Sequence, residues 1–155
     1  MGKKMTVSAL KLAGEIIRRS DERGRVVTNL SVQKLAYFCH GWHLALTASP
    51  LVDEEFAAWK YGPVLPSAYQ KLKVFSSNPI PASHPLVQAT AALPMEDAQS
   101  RIVDKVLEVY GGYTGPQLVN ISHVKDGPWD IAWTAGNEQI ENDRITTYFK
   151  SLIKR

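Results

Sequence analysis

The stretch EEFAAWKYGPVLPSAY, Glu54 to Tyr69, contains the densest local structural signals in this chain. Lys60-Tyr61-Gly62-Pro63 predicts a turn, because the residue before a proline is pushed out of the helical region. The apolar run Phe56–Trp59 before it predicts a short strand or a β-hairpin, within an extended segment near residues 51–63. Pro66 suits the first turn of a helix, so a helix is expected over about residues 66–75.

Upstream, the run LSVQKLAYFCHGWHLAL, residues 30–46, has apolar side chains at helical spacing. The pattern predicts a helix over residues 31–47, with Ser31 as the N-cap. Aromatic residues occur on more than one side of this helix, which indicates a helix surrounded by other elements. Cys39 lies within the apolar pattern and is expected to be a small core residue.

The remaining sequence adds further helical patterns around this central helix. The segment SSNPIPASHPLVQATAALPM, residues 76–95, holds several of the prolines and predicts an irregular surface loop. The expected fold is therefore mostly α, a single compact domain over residues 1–155 with about six or seven helices. The other predicted helices cover about residues 6–21, 94–110, 114–124, 128–136 and 141–153.

Composition limits the class of protein further. No apolar run approaches the ~18 residues of a membrane-spanning helix, and MGKKMTVSAL lacks the apolar region of a secretory signal. Cys39 is the single cysteine, so no intrachain disulfide forms, which suits a reducing compartment. The sequence predicts a cytoplasmic protein without a membrane partner.

A metal-dependent hydrolase is one alternative function. His40 and His43 are three residues apart on the predicted helix, and Glu54, Glu55 or His123 would complete a ligand set. However, the chain has no His-Glu-x-x-His motif and no cysteine pair, and two histidines at this spacing recur by chance. The residues alone therefore predict no metal site and no cofactor.

The sequence gives equally little support for nucleophilic catalysis. Ser122 and His123 are adjacent, so their side chains are expected to diverge on a helix rather than to form a nucleophile–base pair. Ser122 is interpreted as a helix-end hydroxyl bound to backbone, and His123 as a partner of the helix dipole. We predict no catalytic residues and no enzymatic activity.

A DNA-binding regulator is the second alternative. Residues 1–30 hold seven Lys and Arg against three acidic residues, whereas the whole chain has a net charge of +3. Residues 3–25 would supply contacts to a phosphate backbone. A solvated helix face is the preferred interpretation, and the connection DERGRVVTNLS is too long for a helix-turn-helix. A nucleic-acid partner is not expected.

Two consecutive segments, residues 30–46 and 51–69, together resemble a known family in the order and spacing of their residues. This is the SocA-like family, or Panacea antitoxin domain, whose phage relatives are described as GepA-like. The resemblance covers about residues 8–150. The residues that carry it are Gln33, Lys34, Leu35, Tyr37, Gly41, Trp42, Phe56, Ala58, Trp59, Tyr61, Gly62, Pro63, Val64, Pro66, Tyr69, Leu118, Ile121, Ser122, His123, Pro128, Trp129, Ile140, Ile145, Tyr148 and Phe149.

The resemblance implies an antitoxin that neutralises a cognate protein toxin by direct binding. In this family some members sequester the toxin, and the SocA member delivers it to a Clp-type protease. No catalytic residue and no cofactor are implied, and the oligomeric state stays open. The expected partner-binding residues are Trp59, Tyr61, Gly62, Pro63, Lys34, Tyr37 and His123.

Overall fold

The computed structural model describes residues 5–153 and confirms a mostly helical fold. Among these residues, no helix is both long and apolar enough to cross a membrane. The described chain has a three-stranded sheet and eight α-helices. The elements are α1 Ala9–Glu22, α2 Asn29–Thr47, β1 Phe56–Trp59, β2 Gly62–Val64, α3 Pro66–Leu72, α4 Pro85–Gln88, α5 Asp97–Tyr110, α6 Gly115–Ser122, α7 Pro128–Thr134, β3 Gln139–Ile140 and α8 Asn142–Ser151.

The central position predicted for α2 is confirmed, because most of its residues are buried on every side. The predicted N-cap was wrong. Thr28, in an extended conformation, caps the helix, and its Oγ1 accepts a hydrogen bond from the Ser31 amide at 3.3 Å. The helix therefore begins at Asn29, two residues earlier than expected. It ends at Thr47, and its C-cap residue Ala48 adopts a left-handed conformation with φ of 60°.

An aromatic cluster fills the space between α2, the sheet and α8. The Tyr37 ring packs edge-on against Phe38, Phe56 and Phe149, with ring centres 5.5–5.6 Å apart. Gly41 allows α8 to approach α2, since a Cβ at this position would overlap the Phe149 ring. This cluster forms the middle of the hydrophobic core.

The predicted hairpin is confirmed, and its first strand is the predicted Phe56–Trp59. β1 pairs antiparallel with β2, so that Trp59 lies opposite Gly62. β3 pairs antiparallel with the other edge of β1, where Ile140 lies opposite Phe56. β3 was not predicted. It is only two residues long, and its pairing joins residues distant in sequence.

The proline-rich segment 76–95 is only in part the irregular surface loop that the sequence predicted, because residues 85–92 are helical. It contains α4 and a following 3₁₀ turn, Ala89–Ala92, and it packs on α1. Val87 is fully covered there, and its carbonyl accepts a hydrogen bond from Arg18 Nη1 at 2.6 Å. The prolines end and start short turns of helix rather than preventing them.

Candidate binding groove

Two polar residues of α2 hold the hairpin against the helix. Lys34 Nζ donates a hydrogen bond to the Pro63 carbonyl oxygen at 2.9 Å. One residue earlier, Gln33 Oε1 accepts a hydrogen bond from the Leu65 amide at 2.9 Å. β2 is an edge strand, which tolerates Pro63 because a proline has no amide to donate. The Gln33-Lys34 pair thus fixes the end of the hairpin.

Gly62 lies where three side chains converge. Its φ of 109° is unfavourable for residues with a side chain. A Cβ added here would also lie 2.7 Å from Lys34 Cε, 2.8 Å from Ser122 Oγ and 3.3 Å from His123 Nε2. Both constraints require glycine at this turn. Ser122 and His123 therefore approach the same point, contrary to the expectation that their side chains diverge.

Ser122 is bound to backbone, as expected, since its Oγ donates to the Val119 carbonyl at 2.8 Å. His123 follows the last residue of α6 and has left the helical conformation, with ψ of 18°. Its ring stacks on Trp129 with centres 3.6 Å apart, and its Nε2 is buried without a hydrogen-bond partner among the described residues.

The pKa of His123 is shifted away from the charged form that a partner of the helix dipole would favour. Burial and the nearby Lys34 charge lower the pKa of His123, while Asp130 acts weakly in the opposite direction. Burial and Lys34 therefore favour a neutral imidazole, while the place of His123 at the C-cap of α6 agrees with the position expected of a helix-dipole partner. The ring serves as a flat packing surface. Trp129 in turn contacts the hairpin, because its Nε1 donates a hydrogen bond to the Trp59 carbonyl oxygen at 2.7 Å.

Lys34 is the most unusual charged group of the described chain. Its exposed fraction is 0%, and burial lowers its pKa from 10.5 to about 7. Its ammonium makes one hydrogen bond, to Pro63, and no ion pair with any described residue. A buried cation without a counter-charge is energetically unfavourable, which is why burial favours the neutral amine and lowers the pKa of Lys34.

The hairpin borders an open groove of about 740 Å³, which we name the hairpin groove. Its walls are the N-terminal end of α2, the hairpin from Trp59 to Val64, α3, and the N-terminal end of α6; Lys34 lies in its floor. Tyr61, in the turn of the hairpin, is 61% exposed, and Tyr113, just before α6, is 46% exposed. The groove is therefore lined by accessible aromatic side chains.

The seven expected partner-binding residues have different positions in the structure. Tyr61 is exposed and Trp59 is half-buried, and both line the hairpin groove. Tyr37 is 1% exposed and belongs to the aromatic core, so its side chain is not available at the surface. Gly62 and Pro63 are buried in β2. Lys34 and His123 lie beneath the hairpin and support it from inside.

The histidines proposed as metal ligands have structural partners. His40 Nε2 bonds to Asn142 Oδ1 at 2.9 Å, and its Nδ1 accepts from the Val52 amide at 3.4 Å. Burial lowers the pKa of His40 to about 4, so the ring is neutral. His43 Nδ1 donates to the Ser49 carbonyl at 2.7 Å. Within residues 5–153, no group of three or more potential ligands could hold a metal ion.

The basic residues of α1 are engaged inside the molecule rather than forming a solvated face. Glu15 forms ion pairs with Lys11, Arg18 and Arg19, and Arg19 also reaches Asp104 at 3.0 Å. Burial alone would raise the pKa of Glu15, but its hydrogen bonds and the three cations hold that pKa below 4.5.

Two further arginines at the end of α1 also have partners. Arg23 pairs with Asp104, and Arg25 donates to the Leu107 carbonyl at 3.1 Å. The described part of the predicted phosphate-contacting surface is thus largely occupied by intramolecular contacts. Lys3 and Lys4 lie outside the described residues.

The sequence did not predict that α6 contributes to this groove. Thr114 caps α6, and its Oγ1 accepts from the Gln117 amide at 3.3 Å in a capping box. The capping pattern was readable in the sequence, and Thr114 was expected to cap a helix. The approach of α6 to α2 depends on tertiary packing, and residues 114–117 carry no local signal for that packing.

The family model described as "Antitoxin SocA-like, Panacea domain" matches residues 32–130, a range that contains the hairpin, Lys34 and His123. The curated protein "Antitoxin SocA" of Caulobacter vibrioides (strain NA1000 / CB15N) is 31% identical over 139 residues. That match covers 81% of this chain and 70% of the relative. No solved structure matches the chain significantly.

Proposed function

The chain belongs to the SocA-like, Panacea-domain family of antitoxins, and on this premise we propose that it neutralises a cognate protein toxin by binding it directly. Family membership supports a role as an antitoxin and, in general, a toxin as partner. The direct, stoichiometric mode of neutralisation is our proposal. The family match over residues 32–130 is the observation that carries it.

The hairpin groove supplies a surface suited to this task. Tyr61 and Trp59 present aromatic area at a rigid turn, and interface cores are enriched in tyrosine and tryptophan. The turn is fixed by the Lys34–Pro63 hydrogen bond, so little conformational entropy is lost on binding. We propose that Tyr61 and Trp59 contact the toxin.

The other five expected residues act indirectly in this proposal. Lys34, Gly62, Pro63 and His123 position the hairpin, as their contacts beneath it indicate. Tyr37 supports the core on which the sheet rests. None of these five is proposed as a direct contact.

Two fates of the bound toxin agree with this proposal. In the first, binding alone masks the active surface of the toxin. In the second, the chain also delivers the toxin to a Clp-type protease. The half-life of the toxin, followed in cells with and without that protease, separates the two. A protease-dependent loss of toxin identifies delivery, and a stable, inactive toxin identifies sequestration.

Growth rescue tests the proposed function. The product of the adjacent gene is expressed alone and together with this chain, and growth is recorded. We expect growth arrest by the neighbour alone and recovery when the chain is co-expressed. A parallel culture co-expresses the Tyr61→Ala variant of this chain with the neighbour, and its growth should recover less. A neighbour that arrests growth regardless of this chain contradicts the proposal.

A further inference from the structure

Two helix N-termini meet at the hairpin groove. A Cβ added at Gly115, the first residue of α6, would lie 3.2 Å from Leu30 Cδ2 and 3.5 Å from Ser31 Oγ in the first turn of α2. Both helices therefore direct the positive ends of their dipoles to one place. Neither helix has an acidic residue in its first turn to offset this charge.

The lysines of the groove add to this positive potential. Lys60 on the hairpin and Lys73 after α3 are exposed at its rim, and Lys34 lies in its floor. No Asp or Glu is found among the described residues that line it. By contrast, a smaller depression beside Asn142 is lined by Asp53, Glu54 and Glu55. The absence of acidic residues is thus a property of this groove and not of the whole surface.

Lys34 provides an observation independent of the helix ends. Its buried ammonium makes one hydrogen bond, to Pro63, and has no counter-charge among the described residues. Because a buried charge is stabilised by an opposite charge nearby, an anion in the groove would offset the cost of burying Lys34. Lys34 is covered, so it would act through the floor of the groove rather than by direct contact.

Aromatic side chains complete the chemistry of the groove. Trp59 and Tyr69 pack edge-on with ring centres 4.9 Å apart, and Tyr61 and Tyr113 are exposed and line the groove. These rings offer apolar surface beside the positive ends of the helices. A ligand that carries carboxylates next to apolar side chains matches both features.

We propose that the hairpin groove binds an acidic segment of the toxin, with Asp or Glu carboxylates at the N-termini of α2 and α6 and near Lys60 and Lys73. Apolar neighbours of those carboxylates pack on Tyr61 and Trp59. The inference rests on the proposed function, because it describes which part of the toxin the antitoxin recognises.

An acidic polypeptide fits this groove better than a nucleic acid. Nucleic-acid binding depends on a row of basic side chains that neutralise successive phosphates. The groove has two exposed lysines and a volume of about 740 Å³. The two helix N-termini that meet at the groove also favour a few carboxylates over a long row of phosphates.

Charge reversal at the rim tests the inference with the full chain and the purified toxin. The variant Lys60→Glu/Lys73→Glu should lower the affinity for the toxin by at least about tenfold, with an unchanged melting temperature. The control Lys125→Glu/Lys150→Glu reverses two exposed lysines outside the groove and should leave the affinity within about twofold. Equal affinities of both variants and the wild type overturn the inference while leaving direct toxin binding intact.

A second experiment does not use the toxin. Its result therefore distinguishes a failure of this inference from a failure of the proposed function. The isotope-labelled full chain is titrated with a short peptide of Glu, Asp and Leu and with its counterpart of Gln, Asn and Leu. We expect saturable amide shifts in residues 28–31, 59–61 and 113–115 with the acidic peptide only. Equal shifts with both peptides, or none, overturn the inference. Tighter binding of a single-stranded oligonucleotide to the same residues also overturns it.

Discussion

Lys34 and Pro63 are joined by a buried hydrogen bond of 2.9 Å that fixes the hairpin to the central helix. The bond is the one hydrogen bond that this fully covered ammonium makes with the described residues. A backbone carbonyl of the hairpin holds the cation in the floor of the hairpin groove. No acidic residue lines this groove among the described residues. One residue thereby links the stability of the fold to the chemistry of its candidate binding surface.

The pH dependence of stability should report the burial of Lys34. Its pKa is about 7 in the folded chain and near 10.5 when unfolded. Between these values the unfolded state binds more protons, so the free energy of unfolding increases with pH. Below about pH 7 both states are protonated, and the cost of burying the charge is present in full.

The variant Lys34→Met removes this contribution, and urea unfolding across the interval from about pH 7 to about pH 10 measures it. The wild type should gain stability relative to the variant by several kcal/mol over that interval, at about 1.4 kcal/mol per unit of pKa shift. Lys71→Met, at an exposed lysine of α3, serves as the control. Parallel profiles of the wild type and Lys34→Met would refute the buried cation.

Gly62→Ala should destabilise the chain by about 3 kcal/mol or more, because it combines a strained φ with a clash against Lys34 and Ser122. Gly24→Ala is the matched control. Gly24 also has a positive φ, 71°, but nothing lies within 4 Å of an added Cβ. Its cost should be about 1 kcal/mol. Urea unfolding that gave equal losses for the two variants would show that the space around Gly62 is not limiting.

Glu15→Gln should lower the free energy of unfolding by about 2–4 kcal/mol, because Lys11, Arg18 and Arg19 lose their shared counter-charge. Glu22→Gln, at an exposed position of the same helix, should cost less than about 0.5 kcal/mol. Chemical unfolding of both variants gives the comparison.

The pH dependence of the Glu15 contribution has the opposite sign to that of Lys34. Since the pKa of Glu15 is held below 4.5, its contribution is present at neutral pH and is lost as the pH falls through the folded value. A wild type and a Glu15→Gln variant that remain equally far apart in strong acid would contradict the ion-pair cluster.

Tyr61→Ala should lower the affinity for the toxin by at least about tenfold while shifting the melting temperature little, because the side chain is mostly exposed. Val109→Ala, at an exposed position of α5 outside the hairpin groove, is the control for a surface truncation. Calorimetric titration measures the affinities and thermal unfolding the stabilities. A large loss of stability with unchanged affinity would assign Tyr61 a purely structural role.

The central helix and the hairpin were predictable because their signals are local. Helical spacing of apolar residues defines α2, and Gly62-Pro63 defines the turn. The cluster around Glu15 was also readable in principle, since Lys11, Arg18 and Arg19 lie three or four residues away on one helix. The sequence interpretation assigned these cations to solvent instead.

Features that depend on tertiary packing were not predictable. β3 exists because Ile140 pairs with Phe56, and residues 139–140 are too few to show a strand pattern. The hairpin groove requires Gly115 of α6 to meet Leu30 of α2, and no local pattern indicates this contact. The burial of Lys34 follows from the same packing, since the hairpin covers it.

Direct binding of the purified chain to the purified product of the adjacent gene tests the central claim most directly. Calorimetric titration should show a saturable complex of defined stoichiometry, and the toxin in that complex should be inactive. The absence of heat and of any co-migrating complex, with a neighbour whose toxicity is confirmed, would contradict neutralisation by direct binding.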